Sequence, residues 1–262
     1  MSRPPVTPNR ELGQHFLVDE NILGVIGRLS GLEAKDVVLE VGAGLGVLTR
    51  FLAERVELVH AIEVDTALEP HLRERLARHD NVRLVFADAL ALPLAQLEPP
   101  PGKLVANLPY AIATPLVVES LDGLPGLSRW CVMVQREVAD RLVALPGSRS
   151  YSAVSVLVQL TTERAGFHAV ARTCFRPQPR VDSALIALRR RVRWGREYPG
   201  LKRVVQGAFA HRRKTLANSL ELVGVASRES AAAGLRALGH IPDARAESLH
   251  PEEFVRLTEL LA

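Results

Sequence analysis

The sequence predicts an α/β fold with a doubly wound, mostly parallel sheet, followed by a small domain that contains only helices. The first observation is a series of short, nearly continuous Val, Ile and Leu runs that alternate with helix-like segments through the first half of the chain. Such runs are typical of parallel strands that are buried on both faces. The second observation is that only helical periodicity remains after about Pro199, with segments near residues 200–222, 228–238 and 251–261.

The individual elements follow from these runs. The five predicted strands are Asp36–Val41, Leu58–Val64, Val82–Phe86, Lys103–Ala106 and Trp130–Gln135. Two helices are predicted between them, an amphipathic one over Leu45–Arg55 and a charged one over Ala67–Arg78. We place the domain boundary so that residues 1–195 form the α/β domain and residues 196–262 form the helical domain.

The composition excludes several classes of protein. With 47% hydrophobic residues the chain can bury a large core, so we do not expect disorder. Residues 1–5 lack the apolar stretch of a secretory signal and no run of about 18 apolar residues is present, so we expect a cytoplasmic protein without a membrane span. The two cysteines, Cys131 and Cys174, lie far apart, and no Cys or His cluster has metal-ligand spacing, so no metal site is predicted.

Positive charge is concentrated in one stretch of the chain. Residues 164–216 carry 14 Lys and Arg residues but only two acidic ones, Asp182 and Glu197, although the net charge of the whole chain is +4. A basic zone of this kind indicates either contact with a polyanion or an arginine-rich face in solvent. Charge alone leaves both interpretations open.

A glycine-rich loop follows the first predicted strand. Gly42, Gly44 and Gly46 alternate with other residues, a pattern in which the backbone can approach a ligand closely. The dinucleotide fingerprint G-x-G-x-x-G would need glycine where Val47 stands, and no G-x-x-x-x-G-K-[ST] phosphate loop is present. The loop therefore favours a ligand with a ribose but no pyrophosphate, such as S-adenosylmethionine.

Carboxylates end the next two predicted strands. Glu63 stands 21 residues after Gly42, where a carboxylate can accept hydrogen bonds from both ribose hydroxyls of a nucleoside. Asp88 follows the third strand and is placed to accept a hydrogen bond from the amine of the cofactor adenine. The two carboxylates strengthen the prediction of a nucleoside site.

The fourth predicted strand runs into the tetrapeptide Asn107–Tyr110, which we expect to be catalytic. The candidate substrate group is the exocyclic amine of adenine. This amine is a poor nucleophile, because its lone pair is delocalised into the ring. The side-chain oxygen of Asn107 and the carbonyl of Leu108 can accept its N–H bonds and stabilise the positive charge that develops during attack on a methyl group. Pro109 stiffens the turn, and Tyr110 offers a flat face for stacking the base. An ordinary strand-end turn is the alternative.

These segments together resemble the ribosomal RNA adenine dimethyltransferases, in particular the small-subunit (16S) branch of the kasugamycin-sensitivity type. The resemblance covers nearly the whole chain. It rests on Leu12–Asp19, Gly42–Gly46, Asn107–Tyr110, Phe175–Ser183, Arg212–Thr215, Asn218–Leu220 and Asp243–Glu247.

The resemblance implies an activity, a cofactor and a partner. Two adjacent adenines near the 3′ end of 16S rRNA, in the immature small ribosomal subunit, would each receive two methyl groups from S-adenosylmethionine. We expect the acting form to be a monomer. The resemblance also implies that the cofactor pocket is lined by His15, Leu17, Gly42, Gly44, Glu63, Asp88 and Asn107.

Further residues take RNA roles by the same resemblance. Phe175 would stack on the target adenine opposite Tyr110, with a structural proline-rich loop as the alternative. Arg212, Arg213 and Lys214, on a predicted helix, would contact phosphates, with a solvated helix face as the alternative.

Two positions depart from the family pattern, and three other functions stay open. His15 stands where the family more often has Asn, and Ala111 stands where it usually has Asn after the tyrosine.

Alanine at position 111 is frequent in the 23S rRNA adenine methylases of macrolide resistance, which form the first alternative function. A largely non-catalytic assembly factor of the small subunit is the second. An NAD-dependent oxidoreductase, suggested by the glycine loop alone, is the third.

Overall fold

The computed structural model describes residues 8–9 and 12–262. The expectation that the chain lacks a secretory signal rests on residues 1–5, which lie outside the described part. None of the helices in the described part is long and apolar enough to cross a membrane.

Contacts within the chain divide it into two compact units. The first consists of the described residues up to Ala139 together with Glu163–Arg190. The second consists of Asp140–Thr162 together with Arg191–Ala262. The division after Arg190 falls near the predicted boundary at 195/196, but residues 140–162 group with the C-terminal helices. The division into separate domains at 195/196 stays a prediction.

The first unit is built on a seven-stranded sheet, which confirms the predicted α/β class. The strands of the chain are β1 (Phe16–Leu17), β2 (Val37–Val41), β3 (Leu58–Glu63), β4 (Val82–Phe86), β5 (Lys103–Asn107), β6 (Arg129–Gln135), β7 (Thr162–Val170), β8 (Phe175–Arg176) and β9 (Ser183–Arg190). The sheet has the order β4-β3-β2-β5-β6-β9-β7, and β1 pairs with β8 in a separate two-stranded sheet.

The five predicted strands are present and parallel, but two strands of the sheet were missed. Strand β9 pairs antiparallel with β6, and Gln135 lies opposite Ser183 in the register. Strand β7 lies at the edge of the sheet and exposes Arg164 and His168. An edge strand that faces solvent does not form a continuous apolar run, so its sequence lacks the signal that marks a buried parallel strand.

The helices are shorter than predicted in two places. They are α1 (Glu20–Ser30), α2 (Val47–Ala53), α3 (Glu69–Leu76), α4 (Ala113–Gly123), α5 (Arg136–Leu142), α6 (Ala153–Thr161), α7 (Tyr198–Phe209), α8 (Leu216–Leu222), α9 (Arg228–Ala237) and α10 (Pro251–Leu261). Helix α2 begins only after Gly46, and a 3-10 turn over Thr66–Leu68 precedes α3. Asp65 caps that turn, because its side chain accepts the backbone N–H of Ala67.

The strand order creates a crevice at the carboxyl ends of the strands, between β2 and β5. From β2 the chain continues to β3 and β4 on one side, and then crosses over to β5 and β6 on the other. In open α/β sheets, ligands bind outside the carboxyl ends of the strands at such a reversal of order. The loops after β2 and β5 meet at this point.

The second unit contains the predicted C-terminal helices, with one correction. The segment predicted as one helix over 200–222 is two helices, α7 and α8, separated by residues 210–215. Thr215 caps α8, and its side chain accepts the backbone N–H of Asn218 at 3.4 Å. A threonine that caps a new helix cannot lie inside a continuous one, so Arg212, Arg213 and Lys214 lie in a turn and not on a helix.

Candidate active site

A cavity of about 300 Å³ lies at the carboxyl ends of the parallel strands in the first unit. This volume is at the lower end of the range for small-molecule sites. Residues at the ends of four successive strands line it, together with the N-terminal segment. The predicted residues among them are His15, Leu17, Gly42, Gly44, Glu63, Asp88, Asn107, Leu108, Pro109 and Tyr110.

Gly42 makes a close approach between two loops possible. Its backbone has φ +83°, and a Cβ built on it would lie 3.0 Å from Cδ of Pro109 and 3.2 Å from Cγ. A side chain at position 42 would therefore push the Asn107–Tyr110 turn away. Sequence analysis explained Gly42 by close approach of the backbone to a ligand. The structure gives this glycine a second role, in packing against Pro109.

Glu63 is held in place by backbone N–H groups. Its Oε2 accepts a hydrogen bond from Gly44 at 2.8 Å, and its Oε1 accepts those of Val64 and Asp65 at 3.0 Å each. The side chain is 5% exposed. These three bonds fix the carboxylate at the cavity wall and leave part of its acceptor capacity for a ligand, because a carboxylate has about four lone-pair sites.

Glu40 is a second carboxyl group of the cavity, and sequence analysis missed it. It is fully buried within β2, one residue before the strand ends, and its Oε2 has no hydrogen-bond partner among the described residues. Burial raises the pKa of Glu40 to about 8, and the charge of Glu63 adds to the rise. An acidic residue inside an apolar strand, directly before a glycine loop, was the signal that could have found it.

Asp88 lies exposed at the mouth of the cavity, after β4. Its Oδ1 accepts the backbone N–H of Leu90 at 2.9 Å. This bond orients the carboxylate as in an Asx turn, and Oδ2 remains for a donor from a ligand.

The Asn107–Tyr110 segment forms a turn at the end of β5. The Asn107 Nδ2 donates to the carbonyl of His15 at 3.4 Å, which leaves Oδ1 as an acceptor towards the cavity. The Leu108 N–H donates to the carbonyl of Met133 at 3.0 Å, and Ile112 closes the turn by donating to the carbonyl of Pro109 at 3.1 Å. The turn is therefore ordered by backbone hydrogen bonds on both sides.

Tyr110 is half-buried and is held at its hydroxyl end. The hydroxyl lies 2.7 Å from Oγ of Ser183, and the ring centroid lies 5.8 Å from that of His15, with the planes inclined by 34°. Burial raises the pKa of the Tyr110 phenol, so the phenol stays neutral at physiological pH.

The N-terminal segment closes one side of the cavity. The Gln14 Nε2 donates to Oδ2 of Asp65 at 2.7 Å. The His15 Nδ1 lies 2.7 Å from the carbonyl of Pro177, so this nitrogen carries the proton and donates. Leu17 is buried and pairs with Phe175 in the two-stranded sheet.

Phe175 does not lie with the other predicted site residues. Its side chain is 0% exposed, it packs in the hydrophobic core of the first unit, and it does not line the cavity. A buried ring has no free face on which a base can stack. The arrangement supports the structural alternative for this proline-rich loop.

The three predicted RNA contacts lie in the second unit. Arg212, Arg213 and Lys214 are exposed in the turn before α8. The Arg212 Nη2 donates to the carbonyl of Arg149 at 3.0 Å, which brings another exposed arginine to the same surface. Sequence analysis missed Arg149, because it lies outside the basic stretch 164–216.

Groups of three or more His, Cys, Asp or Glu side chains arranged to hold a metal ion were not found among residues 8–9 and 12–262. Both cysteines are free and buried.

Comparison with known proteins identifies the family. Residues 6–262 match the family described as ribosomal RNA adenine dimethylase. A protein of Rubrobacter xylanophilus named ribosomal RNA small subunit methyltransferase A is 48% identical over 250 residues, which cover 95% of this chain and 94% of that protein. A protein of the same name from Streptomyces avermitilis is 42% identical over 264 residues, which cover 97% and 88%.

Solved structures agree with the fold. A dimethyladenosine transferase from Plasmodium falciparum superposes with a TM-score of 0.75 at 22% identity, covering 93% of this chain and 96% of that chain. The 23S rRNA methyltransferase ErmE superposes with a TM-score of 0.67 at 30% identity, covering 94% and 99%. The family match extends over nearly the whole sequence, including both units, and the chain belongs to the ribosomal RNA adenine dimethylase family.

Proposed function

We propose that this chain transfers methyl groups from S-adenosylmethionine to the exocyclic amine of adenine in ribosomal RNA, giving N6,N6-dimethyladenine. One observation carries the proposal. The Asn107–Tyr110 turn and the carboxylates of Glu63 and Asp88 line a single cavity. A nucleoside-bearing cofactor and a reactive amine can therefore meet there.

The lining fits this cofactor. S-adenosylmethionine supplies an electrophilic methyl group on a sulfonium, and its leaving group is a neutral thioether. Glu63 suits the ribose hydroxyls, and Asp88 suits the adenine amine. The unpartnered oxygen of Glu40 adds an acceptor at the buried end of the cavity. The charge of Glu63 beside it disfavours a pyrophosphate at that end, which argues against NAD.

The turn supplies the groups for the target amine. With Nδ2 of Asn107 donating to His15, Oδ1 is directed to accept an N–H bond of the amine. The Leu108 carbonyl is the second acceptor. Both oxygens stabilise positive charge on the nitrogen as the new bond forms, and the backbone bonds of the turn hold them before the base arrives.

Tyr110 is the stacking face for the base. Its ring lines the cavity beside Asn107 and stays neutral, as a stacking surface requires. Phe175 has no exposed face from which to oppose it. We therefore assign Phe175 to the packing of the loop.

The substrate proposed for this chain is the 16S rRNA of the immature small ribosomal subunit, at two adjacent adenines near its 3′ end. The name shared by the relatives at 48% and 42% identity supports the small subunit. The basic turn with Arg212, Arg213 and Lys214 suits phosphate contacts. We further propose that the protein acts as a monomer in the cytoplasm.

The decisive experiment offers the purified protein two RNA substrates together with labelled S-adenosylmethionine. One is small ribosomal particles from a strain that lacks the mark, and the other is 23S rRNA. Mass spectrometry of the nucleosides should find N6,N6-dimethyladenosine in 16S rRNA. Label in 23S rRNA alone would instead assign the chain to the macrolide-resistance activity, for which the likeness to ErmE is the specific observation. Binding to the particle without any label in RNA would indicate an assembly factor.

A further inference from the structure

The hydrogen bond between Tyr110 and Ser183 joins the candidate catalytic turn to a different strand. The two oxygens lie 2.7 Å apart, although the residues are 73 positions apart in the sequence. Ser183 is 1% exposed and begins β9 opposite Gln135 of β6. The backbone before it is also fixed, because Arg136 donates to the carbonyl of Asp182 at 3.0 Å. The Tyr110 hydroxyl is therefore attached to a rigid part of the sheet.

The pair has no other evident function in packing. Residues 184–188, which follow in β9, are all apolar and fully buried. A hydroxyl in that environment costs free energy unless it has a partner. No hydrogen bond to either hydroxyl from a third residue occurs in the described part of the chain. Among the described residues, the Tyr110 and Ser183 hydroxyls are thus each other's hydrogen-bond partner.

The consequence for Tyr110 is a fixed side-chain direction. The hydroxyl oxygen lies on the axis about which the ring turns, so its hydrogen bond restricts χ1 and fixes the position of the ring. The His15 ring, 5.8 Å away and inclined by 34°, limits rotation from the side.

We propose that Ser183 is a positioning residue for methyl transfer: by bonding the Tyr110 hydroxyl, it fixes the position of the ring on which the target adenine stacks. The inference rests on the proposed function, because it takes Tyr110 as the stacking face. A base stacked on a correctly oriented ring presents its amine to Asn107 in a geometry close to that of attack. Ser183 itself does not touch the reacting atoms.

The test removes the hydrogen bond from each side and from both. Ser183→Ala removes one hydroxyl, Tyr110→Phe removes the other and keeps the ring, and the double variant removes both. Each single variant should lower kcat/KM for the small ribosomal particle about 3- to 10-fold, as expected for one hydrogen bond. The fall should lie mainly in kcat, and the dissociation constant of S-adenosylmethionine should not change. The double variant should be no slower than the single ones, because they remove the same interaction.

A matched control separates positioning from general destabilisation. Ser120 is also a buried serine bonded to an aromatic side chain, since its Oγ accepts the Nε1–H of Trp130 at 2.8 Å, and it does not line the cavity. Ser120→Ala should lower the melting temperature and leave kcat/KM unchanged. If Ser183→Ala does not fold, Tyr110→Phe removes the same bond and decides the question alone.

A spectroscopic readout tests the orientation without any substrate. The chain has three tyrosines, and Tyr151 and Tyr198 are buried references. With ¹³C-labelled tyrosine, the three-bond couplings that report χ1 should show a single rotamer for Tyr110 in the wild type and rotamer averaging in Ser183→Ala, with the other two tyrosines unchanged. Unchanged couplings together with equal kcat/KM would overturn the inference, as would independent, multiplicative losses in the double variant. A wild type that methylates no RNA would refute the proposed function instead, while the χ1 couplings would still decide whether Ser183 holds Tyr110.

Discussion

The cavity of the first unit and the basic turn of the second solve two different recognition problems. In the cavity, functional groups are fixed by the backbone: three N–H groups hold Glu63, and turn hydrogen bonds order the segment that follows Asn107. In the basic turn, Arg212, Arg213 and Lys214 are exposed, and the Arg212 guanidinium donates to the carbonyl of Arg149. The difference teaches that bond-making chemistry needs fixed atoms, whereas attraction of a polyanion needs only charge within reach.

The largest expected effect is that of Asn107→Ala. Loss of the acceptor should lower kcat about 100- to 1,000-fold, because one preorganised group at a developing charge contributes on that scale. Binding of RNA and of S-adenosylmethionine should persist, which calorimetry and filter binding can measure. Asn81→Ala is the control, since that side chain bonds two carbonyls at 2.9 Å and does not line the cavity. Equal losses of kcat in both variants would contradict a chemical role for Asn107.

Gly42→Ala tests whether the cavity depends on close packing between its loops. The new Cβ would meet Pro109 at 3.0 Å and adopt an unfavourable φ of +83°, so the turn must shift. We expect kcat/KM to fall about 10- to 100-fold, since small displacements of reacting groups have large effects on rate.

The control for this change is Gly224→Ala, where φ is +69° and no atom lies within 4 Å of the new Cβ. That variant carries the backbone strain, about 1 kcal/mol or more of stability, without the collision. Activity retained in both variants would mean that the fit of Gly42 against Pro109 is not needed.

The basic turn should respond to charge and not to geometry. Replacing Arg212, Arg213 and Lys214 together by Ala should weaken RNA binding about tenfold and reduce the slope of log affinity against log salt by about 2, from counterion release. Exchanging arginine for lysine, or lysine for arginine, at these three positions keeps the charge and should have little effect on RNA binding.

The charge-matched control replaces three exposed arginines on other helices of the same unit, Arg228, Arg236 and Arg256. If this control weakens RNA binding as much as the turn variant does, total charge and not the turn governs the contact. Filter binding at several salt concentrations provides both comparisons.

The smallest expected effect concerns stability and pH. Since burial raises the pKa of Glu40 from 4.5 to about 8, the folded chain keeps a proton that the unfolded chain releases. Between about pH 5.5 and 7.5 the unfolded state therefore binds fewer protons, and the free energy of unfolding should fall as pH rises, by about 1 kcal/mol per pH unit.

Glu40→Gln removes this titration and keeps the size of the side chain. The stability of the variant relative to the wild type should increase with pH, as urea unfolding without ligand would measure. The variant of the basic turn should follow the wild type at every pH. Parallel curves for wild type and Glu40→Gln would contradict a proton held inside the cavity.

The elements around the cavity could be predicted from the sequence more fully than the basic turn could. The five parallel strands were predictable because burial on both faces demands continuous apolar residues, and Glu63, Asp88 and Asn107 followed because they end those strands. Glu40 was missed because it interrupts an apolar run instead of ending one. The basic turn was placed on a helix, since Phe209 and Leu216 on either side of it keep a helical spacing and a threonine cap is a weak local signal.

Contacts between distant segments were not predictable. The pairing of β1 with β8 buries Phe175, and nothing local to residues 175–183 indicates a partner some 160 residues earlier. The bond from Tyr110 to Ser183 is of the same kind. Sequence motifs identified the residues at both ends, but the sheet topology decided which of them meet.

The attachment of the N-terminal segment has a consequence for repeated turnover. On the proposed substrate, two methyl groups on each of two adenines would require the spent thioether to be exchanged for fresh donor several times. Residues 12–17 cover the cavity through a two-residue ladder and the bonds of Gln14 and His15 to neighbouring loops. Movement of this segment would leave the seven-stranded sheet intact, so Gln14→Ala, which removes the bond to Asp65, should accelerate product escape in stopped-flow fluorescence without lowering the melting temperature appreciably.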